Sequence, residues 1–348
     1  MKTLILINIV SSNNIYRLNS YIEANKKKLC KPYVFFCAVT EKNRKWSLHE
    51  KISFNYKILP NSKIEMWGKD LFTYFINYSI WKELNELNPD RIIICGWYQF
   101  SYQVAYLWAF INRKKITLWS ESTVNEKSIG RVLTIPIVRL LVKLSDDFIA
   151  CGKRSKEYLI SLGAKKKNIT IFMDDVNKEH FIKEGKKWRA KRVQIKKKFG
   201  IKKRRNFIYV GQLIERKGVA NLLLAFKNFE YFNPNWGLVI VGYGKQEQEL
   251  KELVQKLEIK NVNFLGNIEQ YSLPKIYTAC DCLVLPSSEE VWGLVVNEAL
   301  YSGLKVIVSD KCGCVPDLVK EGINGYSFKV NGNSDLLAKM KKISLQYK

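Results

Sequence analysis

Histidine is nearly missing from this chain: His49 and His180 are the only two in 348 residues. The eight cysteines, Cys30, Cys37, Cys95, Cys151, Cys280, Cys282, Cys312 and Cys314, form two C-x-C pairs but no C-x-x-C. Zinc sites draw on those spacings and on histidine, so no metal site is expected. Several cysteines lie in apolar runs such as Ile92–Cys95 and Ala279–Leu283. A small buried thiol is their ordinary role there, and reduced thiols fit a cytoplasmic protein. Long apolar runs are missing too. The longest, Val104–Ile111, has eight residues, against the roughly 18 needed to span a bilayer. Lys2 followed by Thr3–Ile7 imitates the start of a leader peptide. Asn8 interrupts it and no small-residue cleavage site follows before Asn13-Asn14, so the stretch reads as a first buried strand.

Acidic residues are few, 32 Asp and Glu against 58 Lys and Arg, which leaves a net charge of +26. With 47% hydrophobic and 13% aromatic residues, a disordered tail and a disulfide-bonded miniprotein are excluded. The length suggests two domains at about 150 residues each. The charge attracts something anionic: nucleic acid, a phospholipid surface or a phosphorylated substrate. Charge alone does not choose among them, and a lysine-rich solvated surface is the plain alternative.

Short apolar, β-branched runs alternate with longer amphipathic segments, the pattern of βα units building parallel sheets covered by helices. Thr3–Ile9, Tyr33–Val39, Arg91–Cys95, Lys115–Trp119, Asp147–Cys151 and Asn168–Phe172 read as strands of a first sheet. Leu71–Leu87, Gln103–Asn112 and Gly130–Leu144 read as its helices, with Pro136 expected to start or kink the last. A second series has strands at Asn206–Val210, Gly237–Val241, Val262–Leu265, Asp281–Leu285 and Lys305–Ser309. Its helices are Gly218–Phe229, Gln246–Leu257 and Gly293–Tyr301. The fold class is α/β, two doubly wound Rossmann-like domains, divided as 1–190 and 191–348 around a basic linker at about 163–206. From Gly163 to Asn206 there are 17 Lys and Arg against four Asp and Glu, a balance of +13, half the chain's surplus. Such a segment is either solvated surface or a patch for an anionic leaflet, with Trp188 and Phe199 able to sit at headgroup level.

Open parallel sheets bind ligands beyond the carboxyl ends of their strands. After Phe207–Val210 comes Gly211-Gln212-Leu213-Ile214-Glu215-Arg216-Lys217-Gly218. A glycine at the strand end admits a ligand to the backbone, and Arg216-Lys217 stands where a helix N-terminus already favours an anion. That suits a diphosphate; an exposed basic loop is the alternative. After Leu285-Pro286-Ser287-Ser288, the run Glu289–Ala299 places Glu290 before a helix opening at Gly293 and Glu298 about 7.5 Å along it. Two carboxylates then flank the N–H groups of Gly293, Leu294 and Val295, a pattern that could grip sugar hydroxyls, phosphate and ribose in turn.

These junctions, with Gly242-Tyr243-Gly244, Val262–Asn267, the E-x7-E element Glu290–Glu298 and Ser302–Ser309, resemble in order the C-terminal domain of family 4 retaining glycosyltransferases. That family has the GT-B fold, two Rossmann-like domains facing across a cleft, and the resemblance covers about Phe207 to Phe328. It implies that Glu298 holds the donor ribose, that Glu290 contacts the donor sugar and that Lys217 neutralises the diphosphate. It also implies that the backbone of Leu294 and Val295 binds phosphate and that Asn267-Ile268 faces the base. Gln212 departs from the pattern, where members commonly carry Arg as a second phosphate contact, and Arg216 stands in for it. In the first half, Ser11-Ser12-Asn13-Asn14 lacks the paired glycines many members have. Ser120-Glu121-Ser122-Thr123 takes the place of a His-Asp, which makes Glu121 the candidate for orienting the acceptor, with helix capping as its other reading. Gly96–Phe100 is an aromatic platform or ordinary packing. The chain ends soon after Leu336–Met340, where members usually continue through helices returning to the first domain.

The resemblance implies transfer of a sugar from a nucleotide diphosphate sugar to a hydroxyl of a glycan or lipid-linked acceptor, in cell-surface polysaccharide or lipopolysaccharide synthesis. It implies no cofactor beyond that co-substrate, and the absence of any D-x-D leaves a metal clamp unindicated. The location expected is cytoplasmic, peripheral on the inner face of the plasma membrane. Rival readings are a GT-B epimerase or phosphorylase and, from another class, a basic nucleic-acid-binding protein, for which no recognised motif is present.

Overall fold

The structure is a computed structural model and describes residues 1–29, 31–40, 48–66, 72–126, 129–330 and 333–347. Cys30 and Leu71 lie outside the described residues. The chain forms two compact units, Met1–Asp174 and Asp175–Lys348.

In the first unit, β1 (Thr3–Ile9), α1 (Ser12–Ala24), α2 (Lys26–Leu29), β2 (Tyr33–Ala38) and β3 (Asn55–Ile58) lead to a hairpin, β4 (Ser62–Met66) and β5 (Phe72–Ile76). Then follow α3 (Ile80–Leu87), β6 (Arg91–Ile94), α4 (Phe100–Ile111), β7 (Lys115–Ser120), α5 (Ile129–Leu144), β8 (Asp147–Ala150), α6 (Lys153–Ser161) and β9 (Ile169–Ile171). Seven strands make one parallel sheet in the order β3-β2-β1-β6-β7-β8-β9. Central strands such as Thr3–Ile9 are apolar on both faces because helices cover both. One face buries Tyr102, Trp108, Val138 and Leu141 against Leu4, Leu6 and Ile94. The other buries Ile15 and Leu18 against Ile5, Ile7 and Trp119.

The helix expected over Leu71–Leu87 is corrected. Phe72–Ile76 is a strand paired antiparallel with Ser62–Met66, and helix begins only at Ile80. Aromatic and β-branched residues favour the extended state, and buried Gln99 fixes it. Its Oε1 accepts from the Phe75 N–H at 2.7 Å and its Nε2 donates to the Thr73 carbonyl at 3.2 Å. Pro136 neither starts nor breaks α5, which runs through it.

The second unit opens with α7 (Lys178–Arg189) and α8 (Arg192–Lys198), then β10 (Arg205–Val210), α9 (Val219–Phe232), β11 (Trp236–Val241), α10 (Glu247–Lys256) and β12 (Val262–Gly266). It continues through α11 (Leu273–Ala279), β13 (Cys282–Leu285), α12 (Leu294–Tyr301), β14 (Lys305–Ser309), α13 (Val315–Leu318), β15 (Gly325–Phe328) and α14 (Asn333–Leu345). Its sheet is parallel, in the order β12-β11-β10-β13-β14-β15.

The basic segment is folded rather than a loose linker. The helices α7 and α8 pack on α11, and α7 also on α12, so the border between the units falls at 174/175, ahead of the expected 190/191. Four of its 17 cations are committed inside the unit. Arg192 and Arg205 both pair with Asp281, at 2.8 and 2.9 Å, and Arg189 donates to the Ser302 carbonyl. Lys196 donates to the carbonyls of Lys203 and Arg204, and burial together with Arg192 pushes its ammonium down to about 8. Trp188 is half-buried, with the ammonium groups of Lys187, Lys191 and Lys275 over its ring.

Candidate functional site

Strand order reverses in the second sheet between β10 and β13, and the loops leaving those two strands carry most of the expected site. The β10 loop is drawn tight. Gly211 has φ +155° and its N–H bonds the Val241 carbonyl, while Gly242 has φ +143° and a Cβ there would meet the Gly211 oxygen at 1.8 Å. The Ser288 N–H donates to the Arg216 carbonyl at 2.8 Å, which ties the β13 loop to the β10 loop. Gly218 is left-handed at φ +68°, where a Cβ would fall 2.3 Å from the Pro286 oxygen.

This stitching brings Lys217 onto Glu290, and the two side chains, 13% and 15% exposed, form an ion pair. Ser287 Oγ donates to the same carboxylate at 3.3 Å. Arg216 lies alongside, its Nη1 reaching the Glu289 carbonyl at 3.4 Å. Three residues past Glu290, Gly293 at φ +100° opens α12 with no side-chain cap, so the first N–H groups of Leu294 and Val295 face outward along the axis. The helix dipole adds partial positive charge there.

Glu298 sits in the body of α12, 2% exposed. Gln270 Nε2 donates to one oxygen at 2.6 Å and the Tyr277 hydroxyl to the other at 2.8 Å. Burial pushes its carboxyl up from 4.5 to about 7, against the pull of both hydrogen bonds. A second net steadies the same helix: Asp175 accepts from Asn297 Nδ2 at 2.9 Å and from the Tyr301 hydroxyl at 2.8 Å, and Trp292 Nε1 donates to Asn297 Oδ1. Gln212 offers its carbonyl to the Tyr209 hydroxyl. Exposed Asn267 and half-buried Ile268 follow β12, whose last residue, Gly266, accepts from the Gly242 N–H.

In the first unit, Glu121 follows β7 and meets a residue the sequence gave no reason to choose. Arg17 on α1, buried, pairs with Glu121 and, at 3.0 Å, with Asp174 beyond β9. Its Nη2 donates to Asn14 Oδ1, and its guanidinium lies 5.0 Å from the Trp119 ring centre. Burial works against the guanidinium charge, but Glu121 and Asp174 outweigh it and hold the pKa above the ordinary range. Glu121 is therefore a salt-bridge partner whose side chain remains 43% exposed. In the stretch that lacks the paired glycines of many members, Ser11 Oγ accepts from the Asn14 N–H and caps α1. Among the Gly96–Phe100 aromatics, Trp97 packs on Tyr158 and the Tyr98 hydroxyl accepts from Asn8. Ser287, Gln270, Tyr277, Arg17 and Asp174 escaped the sequence reading because nothing in their spacing shows which partner they meet.

Two parallel-sheet Rossmann-like units, the second with cations and an uncapped helix at its switch point, define the GT-B class. Residues 191–347 match the family model described as glycosyl transferases group 1. An uncharacterized glycosyltransferase of Methanocaldococcus jannaschii is 35% identical over 120 residues, 34% of this chain and 30% of that protein. The sulfoquinovosyl transferase of Arabidopsis thaliana is 26% identical over 211 residues, 60% of this chain and 39% of that one. The chain thus spans about a third of the length of these curated relatives. Among solved structures, Anabaena HepE in complex with UDP matches with a TM-score of 0.74 at 17% identity, over 100% of this chain and 91% of that one. The lipopolysaccharide outer core galactosyltransferase WaaB matches at 0.68 and 18%, over 100% and 92%. Both likenesses establish the fold.

Proposed function

We propose that the chain is a retaining glycosyltransferase that moves a sugar from a nucleotide diphosphate to a hydroxyl of a glycan or lipid-linked acceptor. The observation that carries the reading is the Lys217–Glu290 pair beside the open end of α12, at the switch point of a group 1 domain. In this reading the diphosphate takes Lys217, with Arg216 beside it, and the N–H groups of Leu294 and Val295. Glu290, freed from Lys217, meets sugar hydroxyls. Glu298 takes the ribose, Asn267-Ile268 faces the base, Gly211 and Gln212 line the diphosphate, and Glu121 orients the acceptor.

Catalysis is then electrostatic. Fixed positive charge stabilises the diphosphate as its charge grows, and the leaving oxygen accepts the acceptor proton on the same face. Transfer is expected to survive chelation of divalent metal. The acceptor is expected at an anionic membrane surface, on the cytoplasmic side, which the chain's +26 favours.

The test is a nucleotide-sugar panel read by thermal shift, followed by transfer assays on the donor that binds. HepE was solved with UDP and glucose, so uridine nucleotides head the panel. A stabilised protein that transfers sugar with retained anomeric configuration supports the reading. Conversion of donor without acceptor points instead to an epimerase, and salt-sensitive DNA retention without donor binding to a nucleic-acid-binding protein.

A further inference from the structure

The helices α4 and α5 pack against each other and against one face of the first sheet, burying Tyr102, Ala105, Trp108 and Ala109 from one and Val138, Leu141 and Val142 from the other. Their outward faces are apolar as well. Leu107, Phe110 and Ile111 on α4 and Ile137 and Leu140 on α5 are each 54–62% exposed. The spacing 107, 110, 111 is one side of a helix, opposite the side already buried. A helix that is apolar all round normally has partners all round, and here one side faces out. Exposed apolar surface gathered on two neighbouring helices marks an interaction site.

Charge selects the partner. Neither α4 nor α5 contains an Asp or Glu. Arg113 and Lys114 follow the end of α4, and Arg139 and Lys143 lie on α5 beside Leu140, all but Lys114 well exposed. A second copy of this face would bring like charges together. Nucleic acid would satisfy the cations but leave the apolar row in water. An anionic bilayer satisfies both, with side chains entering the headgroup boundary and basic residues meeting lipid phosphates.

We propose that the α4–α5 face is the surface by which this protein lies on anionic membrane, and that the basic segment 163–206 is not. The second clause rests on the inward commitments of Arg189, Arg192, Lys196 and Arg205 and on the lack of an apolar row beside the segment's exposed lysines, Val193 being the one large apolar side chain exposed on α7 and α8 among the described residues. The proposal leans on the glycosyl-transfer reading only for the use of such docking, which brings the enzyme to a lipid-linked acceptor.

The experiment is co-sedimentation of the full chain, without donor, with vesicles of phosphatidylglycerol and phosphatidylcholine or of phosphatidylcholine alone. The parent is expected to sediment with the anionic vesicles only. Phe110→Gln with Leu140→Gln should lower that partition about ten-fold, whereas replacing the surface lysines Lys197, Lys198, Lys202 and Lys203 with Gln should change it less than about two-fold. Both variants should keep the parent's melting temperature and donor binding, so loss of donor binding would report on the transferase reading and not on this one. Full sedimentation of the Phe110/Leu140 variant overturns the proposal, as does release by the lysine variant alone. Dimerisation abolished by Phe110→Gln and Leu140→Gln, with no vesicle binding by the parent, assigns the face to a second copy and also overturns it.

Discussion

Lys217, just after β10, and Glu290, just after β13, are ion-paired across the switch point of the second sheet. Each neutralises the other's charge. Under the proposed function, a diphosphate that engages Lys217 would release the Glu290 carboxylate toward the sugar hydroxyls.

Removing one member of this pair should therefore cost more than removing both. Lys217→Ala leaves a mostly buried carboxylate uncompensated and is expected to lower stability by about 1–3 kcal/mol, while Lys217→Ala with Glu290→Ala recovers part of the loss. Neither should transfer sugar at more than about a tenth of the parent's single-turnover rate. Urea melts and rapid-quench kinetics on the two single variants and the double check this, and additive stability losses would show the pair to be inert.

Glu298 should make stability depend on pH. Its pKa rises from 4.5 to about 7 on folding, so the folded state is favoured while both states are protonated and loses ground as the unfolded chain ionises. The contribution is complete below pH 4.5 and is lost progressively as pH rises toward 7, on the order of 3 kcal/mol in all. Glu298→Gln should flatten that stretch of the stability profile, measured by denaturant titration at pH 5 and 8. Glu298→Ala should weaken donor binding by about 1.5–3 kcal/mol and also destabilise, because Tyr277 and Gln270 lose their acceptor.

Arg17→Met takes the guanidinium away from Glu121 and Asp174. Asp174 is buried, so the change is expected to cost about 3–5 kcal/mol in the first unit, and adding Asp174→Asn should return much of it. Calorimetric donor affinity should stay at the parent's value throughout, since Arg17 belongs to the first unit.

Gly242→Ala should disturb the β10 and β11 loops together. The added methyl falls 1.8 Å from the Gly211 oxygen, and the expected loss is at least about 3 kcal/mol. Amide exchange is expected to quicken at Gly211 and Leu213, whose N–H groups bond the Val241 and Tyr243 carbonyls.

Parallel strands covered on both faces announce themselves as unbroken apolar runs, and for that reason the strands of both main sheets other than β3, which is exposed along its length, and β15 were legible within a residue or two. The hairpin was not. Phe72–Ile76 is followed so closely by Ile80–Leu87 that the two merge into one apolar stretch, and only the distant Gln99 separates them. The basic segment misled in another way: lysine runs look solvated, yet Arg192 and Arg205 share the buried Asp281. At the site, glycines and the two glutamates were legible because their spacing follows strand ends. Gln270, Tyr277 and Arg17 were not, because each works through a residue far along the chain.

The close seam between Gly211 and Gly242, with Leu213 backbone pressed on Gly244, has a consequence for how such a protein can diverge. One wall of the proposed donor site is built of main chain with no room for side chains, so substitution there cannot reshape it without breaking it. Under the proposed function, new donor preferences are expected to arise from the 266–268 and 286–293 loops. A library confined to those two stretches samples the variation this scaffold can tolerate.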